Sequence, residues 1–177
     1  KTGEVLTLAS SNRFNPEKIR QKDIPSLNVN AIEYQFEPGS IVKPISISLV
    51  MDKNRIKKNE LFFAYNTKGK ANSKGEFPKG KYKLGRYTIG DDHRFKKHYL
   101  TLKDVVIYSS NIGTLKIAQR LTGPEFYEGY KRFGLARKTG IDLPYEKKGV
   151  IHSVRQYSAG DRDKEDNIFK ATDSYGQ

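Results

Sequence analysis

Cysteine is missing from all 177 positions, so no disulfide framework and no thiol chemistry can be invoked. Such a chain suits an oxidising compartment, where thiols would mispair, although many cytosolic proteins also lack them. Apolar residues are scarce as well, at 36% with a mean hydropathy of −0.74. That supply is thin for one domain of this length. It fits either a polar, loop-rich surface or part of a larger domain whose remaining core lies elsewhere. No apolar run is long enough to span a membrane, and Lys1 leads directly into "GEVLTLAS". That opening reads as a strand and not as a charged region followed by a hydrophobic signal. An anchor or export signal is therefore expected ahead of this sequence or not at all.

Acidic residues are in deficit: 20 Asp and Glu face 33 Lys and Arg, for a net charge of +13 and a pI near 9.7. Nucleic-acid binding is the obvious functional reading of such an excess. Much of it lies between Lys53 and Arg86, a region rich in Gly, Asn and Lys without the regular aromatic interleaving that stacks bases. Solubilising surface lysines account for it better, and a basic surface also suits anionic lipid or an anionic wall polymer.

Internal repeats are absent. Glu4–Ser10 mixes β-branched and apolar residues as a short strand does, and Asn and Pro punctuate the stretch after it, "NRFNPEKI". "EPG" precedes Ser40, from which "SIVKPISISLVMDKNRI" reads as a helix apolar on nearly every side, hence buried. Pro44 falls in its first turn, where a missing N–H costs little. Residues 66–94 read as an irregular lysine-rich excursion, with room for a short hairpin. Thr101 and Asp104 have the spacing of a capping box, with Asp in place of Glu. Two helical pieces come next, broken at Ser109-Ser110-Asn111 because Ser and Asn favour caps and turns. "GPEFYEGYKRFG" predicts an amphipathic helix between Gly123 and Gly134, with Phe126, Tyr130 and Phe133 at core spacing.

Ser40-Ile41-Val42-Lys43 is the single S-x-x-K. Three residues apart on a helix, the two side chains share a face. The helix dipole favours negative charge developing at its start. A lysine made neutral by burial and neighbouring positive charge could take the serine proton. A helix cap followed by a snorkelling lysine is the plain alternative. S-x-N occurs at Ser10-Ser11-Asn12, Ser26-Leu27-Asn28 and Ser109-Ser110-Asn111. The first two lie in Pro- and Asn-rich loop and read as turn residues. For the third, spacing alone leaves a helix cap and a functional corner equally open. His93, His98 and His152 form no ligand spacing and read as surface or loop residues.

The blocks "TGEVLTLAS", "FEPGSIVKP", "LTLKDVVIYSSNIG", "FYEGYKRFGLARKTGIDLP" and "ATDSYGQ" come in a familiar order. In it the chain resembles the transpeptidase domain of class B penicillin-binding proteins, the division-type branch in particular. The resemblance spans nearly all 177 residues. It implies an α/β fold of α+β type, shared with serine β-lactamases: an antiparallel sheet flanked by helices, with an all-helical part. Residues 1–177 would form the N-terminal part of one such domain, here incomplete. Lys138-Thr139-Gly140 copies the third element of the family's signature. The resemblance instead makes it the structural "KTGIDLP" block, because the catalytic K-T/S-G comes later, on a sheet strand. Physics agrees, since Ile141 and Asp142 succeed Gly140 between a helix end and Pro144, where that strand needs small residues. Lys1-Thr2-Gly3 precedes the serine and does not serve either.

The resemblance implies that Ser40 attacks the D-Ala-D-Ala bond of a peptidoglycan stem peptide. Lys43 would be its proton acceptor, Ser109 a proton relay, and Asn111 a holder of Lys43 and the substrate amide. The acyl group then passes to an amine on a neighbouring strand, in septal wall synthesis. β-Lactams would trap Ser40 covalently. No cofactor or metal is called for, division proteins are the expected partners, and nucleic acid is not. The domain would sit outside the cytoplasmic membrane on an anchor beyond this sequence. Without the third element, these residues alone are expected to be feebly active at most. The rivals are a D,D-carboxypeptidase or β-lactamase-like hydrolase, and a non-catalytic β-lactam-sensing or scaffold module.

Overall fold

The computed structural model describes residues 3–9, 11, 13–163 and 165–177. The S-x-N at Ser10–Asn12 and the tripeptide at Lys1–Gly3 therefore lie in part outside the described residues. The chain divides into two compact units, Lys1–Phe36 with Gly134–Val150, and Glu37–Phe133 with Ile151–Gln177.

The first unit is mostly irregular. It holds a 3-10 turn at Gln21–Ser26 and one turn of helix, α1 (Asn30–Glu33). Residues 3–9 form no strand, contrary to the expectation for "EVLTLAS". A strand exists only with a ladder partner, and Val5 and Leu6 stand exposed instead. Lys147 N–H donates to Ile32 O at 2.9 Å and Gln35 Nε2 to Lys148 O at 2.8 Å, tying the segment after α1 to the 134–150 loop. Ser26-Leu27-Asn28 closes the 3-10 turn, as a turn reading predicts.

The second unit is built on helices. A 3-10 turn, Gly39–Val42, runs into α2 (Lys43–Asp52), so the helix predicted from Ser40 starts as a tighter turn. It ends at Asp52, short of Ile56, with Asn54 already at φ 53. Strand β1 (Leu61–Phe63) pairs antiparallel with β4 (Tyr99–Thr101), Phe62 opposite Leu100. Between them β2 (Lys81–Leu84) and β3 (Tyr87–Gly90) form a hairpin with Lys83 opposite Thr88. Gly85, at φ 57, supplies the positive dihedral a two-residue hairpin loop needs. The lysine-rich excursion is thus an ordered hairpin whose inner face, Leu84 and Ile89, joins the core.

Helix α3 (Leu102–Ile107) opens on the predicted capping box: Asp104 N–H donates to Thr101 Oγ1, and Thr101 N–H to the Asp104 carboxylate. Next come α4 (Asn111–Ala118) and α5 (Gly123–Arg132). Phe126 and Tyr130 of α5 are buried, their centroids 4.3 Å apart, with Tyr157 4.8 Å from Phe126. Phe133 is exposed, because α5 ends at Arg132 and the chain leaves the core face. Two helices that the polar C-terminal sequence concealed complete the unit, α6 (Val154–Tyr157) and α7 (Ile168–Tyr175). α7 packs on α4 and α2. Its buried Lys170 donates to Leu121 O at 2.9 Å and pairs with Asp161 at 2.6 Å, so the ammonium is compensated. No helix among the described residues is long and apolar enough to cross a membrane.

Candidate active site

Three chain reversals build the site. At the first, Gly39 takes φ 65 and its N–H donates to Gly176 O at 3.0 Å, so the end of α7 braces the turn that carries Ser40. Ser40 is exposed, its carbonyl accepts the Lys43 N–H, and its hydroxyl bonds to no other described side chain. Lys43 begins α2 and is 4% exposed.

The second reversal joins α3 to α4. Ser109 N–H donates to Val106 O and Ser110 N–H to Val105 O, the pattern of a Schellman helix end. The residue at its left-handed position is ordinarily glycine; here it is Ser109, at φ 52. Ser110 then caps α4 by accepting the Gly113 N–H at 2.9 Å.

Lys43 reaches this corner. Its Nζ lies 2.6 Å from Ser109 O, 2.9 Å from Ser109 Oγ and 2.6 Å from Asn111 Oδ1. The structure thus brings Lys43, Ser109 and Asn111 into direct contact, with Ser40 on the turn that starts the same helix. An ammonium has three donors, and all three are occupied here. A neutral amine has two N–H donors, which the two carbonyl oxygens would hold, leaving its lone pair for a hydroxyl. The corner therefore accommodates both protonation states of Lys43 without moving a heavy atom. Asn111 Nδ2 donates to Gly90 O at 2.9 Å and keeps a second hydrogen for another acceptor.

The third reversal is the end of β3. Asp91, 4% exposed, accepts from the Ser110 hydroxyl at 3.1 Å and from Ile112 N–H at 3.1 Å. Burial pushes its carboxyl up, opposed by those donors and by Lys43. Burial also draws the Lys43 ammonium below the ordinary lysine range, against the opposing pull of Asp91 and Asp92. The charges beside Lys43 are thus negative, not positive as the sequence suggested, and desolvation is what favours the neutral amine. Sequence reasoning did not find Asp91. Its only signal was an acidic pair closing a basic hairpin.

Lys138-Thr139-Gly140 lies in the first unit on no strand. Glu146 accepts from Thr139 N–H, from the Thr139 hydroxyl and from Gly140 N–H, so the tripeptide closes a loop. Among the histidines, His93 is exposed, but His98 and His152 have structural partners. His98 Nδ1 is 2.7 Å from Asn66 Oδ1 and its ring stacks on Phe77. His152 Nδ1 lies 3.0 Å from Asp173, which also accepts the Tyr157 hydroxyl. His98 and His152 both lie in loops, as the sequence reading allows, with each ring half-buried against an aromatic neighbour. No cluster of His, Asp and Glu among the described residues could hold a metal ion.

A buried lysine is held by a serine–asparagine corner, and the turn at the head of its helix carries an exposed serine. The fold gives the family. Residues 1–176 match the penicillin binding protein transpeptidase domain, and the chain belongs to that family. It is 31% identical over 159 residues to penicillin-binding protein PbpB of Mycobacterium tuberculosis, covering 89% of this chain and 21% of that protein. It is 32% identical over 175 residues to the peptidoglycan D,D-transpeptidase FtsI of Buchnera aphidicola, covering 99% of this chain and 26% of that protein. The transpeptidase domain of penicillin-binding protein 3 from Burkholderia pseudomallei superposes with a TM-score of 0.65 at 30% identity, over 84% of this chain and 38% of that one. The fold is accordingly the α+β penicillin-binding-protein fold. The chain spans about a quarter of the length of the curated relatives it matches.

Proposed function

We propose that residues 1–177 are the N-terminal part of the transpeptidase domain of a division-type penicillin-binding protein, and that Ser40 is its acylated nucleophile. Lys43 takes the Ser40 proton, Ser109 passes a proton to the departing D-alanine, and Asn111 holds Lys43 and the substrate amide. The acyl group of the stem peptide then passes to an amine on a neighbouring strand. The observation that carries this reading is the three-point seat of Lys43 on Ser109 O, Ser109 Oγ and Asn111 Oδ1. General-base assistance of this kind contributes about 10²–10⁴-fold. Relatives named peptidoglycan D,D-transpeptidase FtsI and probable peptidoglycan D,D-transpeptidase PenA support the substrate class and the reaction. The strand that holds the substrate carboxylate is proposed to come from outside these residues, because Lys138–Gly140 is a loop closed on Glu146. Division proteins as partners, and an anchored domain outside the cytoplasmic membrane, belong to the same reading.

The test is labelling of the full-length protein by a fluorescent penicillin. A stoichiometric adduct on wild type and none on Ser40→Ala is expected. An adduct that survives the substitution refutes the assignment of Ser40. Product analysis with a D-Ala-D-Ala peptide and an amine acceptor separates transfer from hydrolysis; exclusive hydrolysis would replace the transpeptidase reading by a carboxypeptidase one.

A further inference from the structure

We propose that Asp91 is a positioning and charge-setting group for Lys43: its buried carboxylate braces the corner that Lys43 reaches and keeps a negative charge beside that corner. The proposal rests on the reading of Ser40 and Lys43 given above. Asp91 joins the hairpin to α4. Its carboxylate accepts from the Ser110 hydroxyl and Ile112 N–H, its own N–H donates to Gly80 O at 3.2 Å, and the preceding Gly90 O accepts from Asn111. The two residues flanking Ser109-Ser110 in function, Asn111 and Lys43, are thereby fixed to the end of β3.

Bracing alone does not require a charge. The donors that act on Asp91 are a hydroxyl and the backbone amides of Asn111 and Ile112, all neutral, and an asparagine could accept from some of them at far smaller desolvation cost. A buried carboxylate without a bonded cation needs a cation in its field, and Lys43 is that cation. The groups facing Lys43 are few. Ser109 and Asn111 contribute only neutral acceptors, and the negative charges acting on it come from Asp91 and the exposed Asp92. Burial drives Lys43 toward the neutral amine while the two carboxylates hold the proton on. The two influences oppose each other, so removing a carboxylate shifts the balance toward the neutral amine.

The experiment measures the rate of acylation by a fluorescent penicillin from pH 5 to 9 in the full-length wild type, Asp91→Asn, Asp92→Asn and Ser110→Ala. A carboxylate stabilises the ammonium, so its removal lets Lys43 lose its proton at lower pH. The acid limb of the profile should move down by about one unit in Asp91→Asn. In Asp92→Asn, an exposed and screened charge, it should move down by about 0.3 unit. Ser110→Ala keeps the charge and loses one brace, so its plateau falls while its limb stays. An Asp91→Asn limb that is unmoved or moves up overturns the proposal. If Asp91→Asn melts below the assay temperature, an unchanged plateau in Ser110→Ala overturns it. A wild type that is never labelled refutes the acyl-enzyme reading itself, and this one with it.

Discussion

Ser109 carries a backbone penalty that can be measured apart from its chemistry. At φ 52 it occupies the left-handed region, where a Cβ crowds the following carbonyl at a cost of about 1–2 kcal/mol. Glycine avoids that clash, but its freer unfolded chain returns about 0.5–1 kcal/mol. The remainder favours glycine over any residue with a Cβ by about 0.5–1 kcal/mol. Wild type is the wrong reference, since both Ser109→Ala and Ser109→Gly also lose the 2.9 Å contact between the hydroxyl and Lys43. The two variants differ from each other in one methyl group only. Urea denaturation of the two full-length variants should therefore rank Ser109→Gly above Ser109→Ala by about that margin. Penicillin acylation should be slowed equally in both, by about 10²–10⁴-fold, because neither has a hydroxyl to relay a proton. Equal stabilities would show that the turn relaxes away from φ 52 in solution. Near wild-type acylation in either variant would remove Ser109 from the proton path.

Two other perturbations act on named contacts. A Cβ at Gly176, itself at φ 88, would stand 2.2 Å from Gly39 O and 2.5 Å from Gly39 N, both backbone atoms that cannot rotate aside. Gly176→Ala should cost about 3 kcal/mol, summing the left-handed penalty with the lost Gly39–Gly176 hydrogen bond, and should slow acylation roughly tenfold by shifting the Ser40 turn; a change under about 0.5 kcal/mol in urea denaturation would contradict it. Glu125 is held to a pKa of about 2 by Arg55, whose guanidinium reaches both carboxylate oxygens at 2.7 and 2.8 Å. Its folded pKa lies below the unfolded value of 4.5, so the stabilisation is complete above about pH 4.5 and is lost as pH falls toward 2. Solvent screening of this half-exposed pair limits it to about 1 kcal/mol, and the stability gap between wild type and Glu125→Gln should close between pH 4.5 and 2. A gap independent of pH would exclude the pair as its source.

The features legible in the sequence were local. The Thr101–Asp104 box, the break at Ser109–Asn111, Pro44 in a first turn and the buried face of α5 each depend on residues within four positions of one another. Long-range pairing was not legible. The three-residue strands Leu61–Phe63 and Tyr99–Thr101 lie 36 or more positions apart and exist only through each other. The converse error has the same cause: "EVLTLAS" has strand composition, but composition supplies no partner. The sign of the charge beside Lys43 was missed because Asp91 is distant in sequence and sits among lysines, where an average over the region reads as basic. Motif order pointed to Lys43, Ser109 and Asn111, which the fold brings into contact, because order records geometry that spacing cannot express.

The site is made of helix ends because helix ends leave polar backbone groups free. Inside a helix every carbonyl is committed to the ladder, so a lysine could reach only side chains. At the end of α3, the left-handed turn at Ser109 swings its carbonyl out of the helix, and Lys43 Nζ takes it at 2.6 Å. The negative end of the α3 dipole lies on that side and favours the ammonium. Two residues further on, Asn111 opens α4, whose positive end disfavours it. Lys43 is thus buried where two helix ends meet, at a corner that Asp91 also bonds. Each of these forces would bias its protonation if it acted alone. Opposed, they leave a lysine whose burial favours the amine while its carboxylate neighbours favour the ammonium, a balance that a snorkelling surface lysine with the same S-x-x-K spacing lacks.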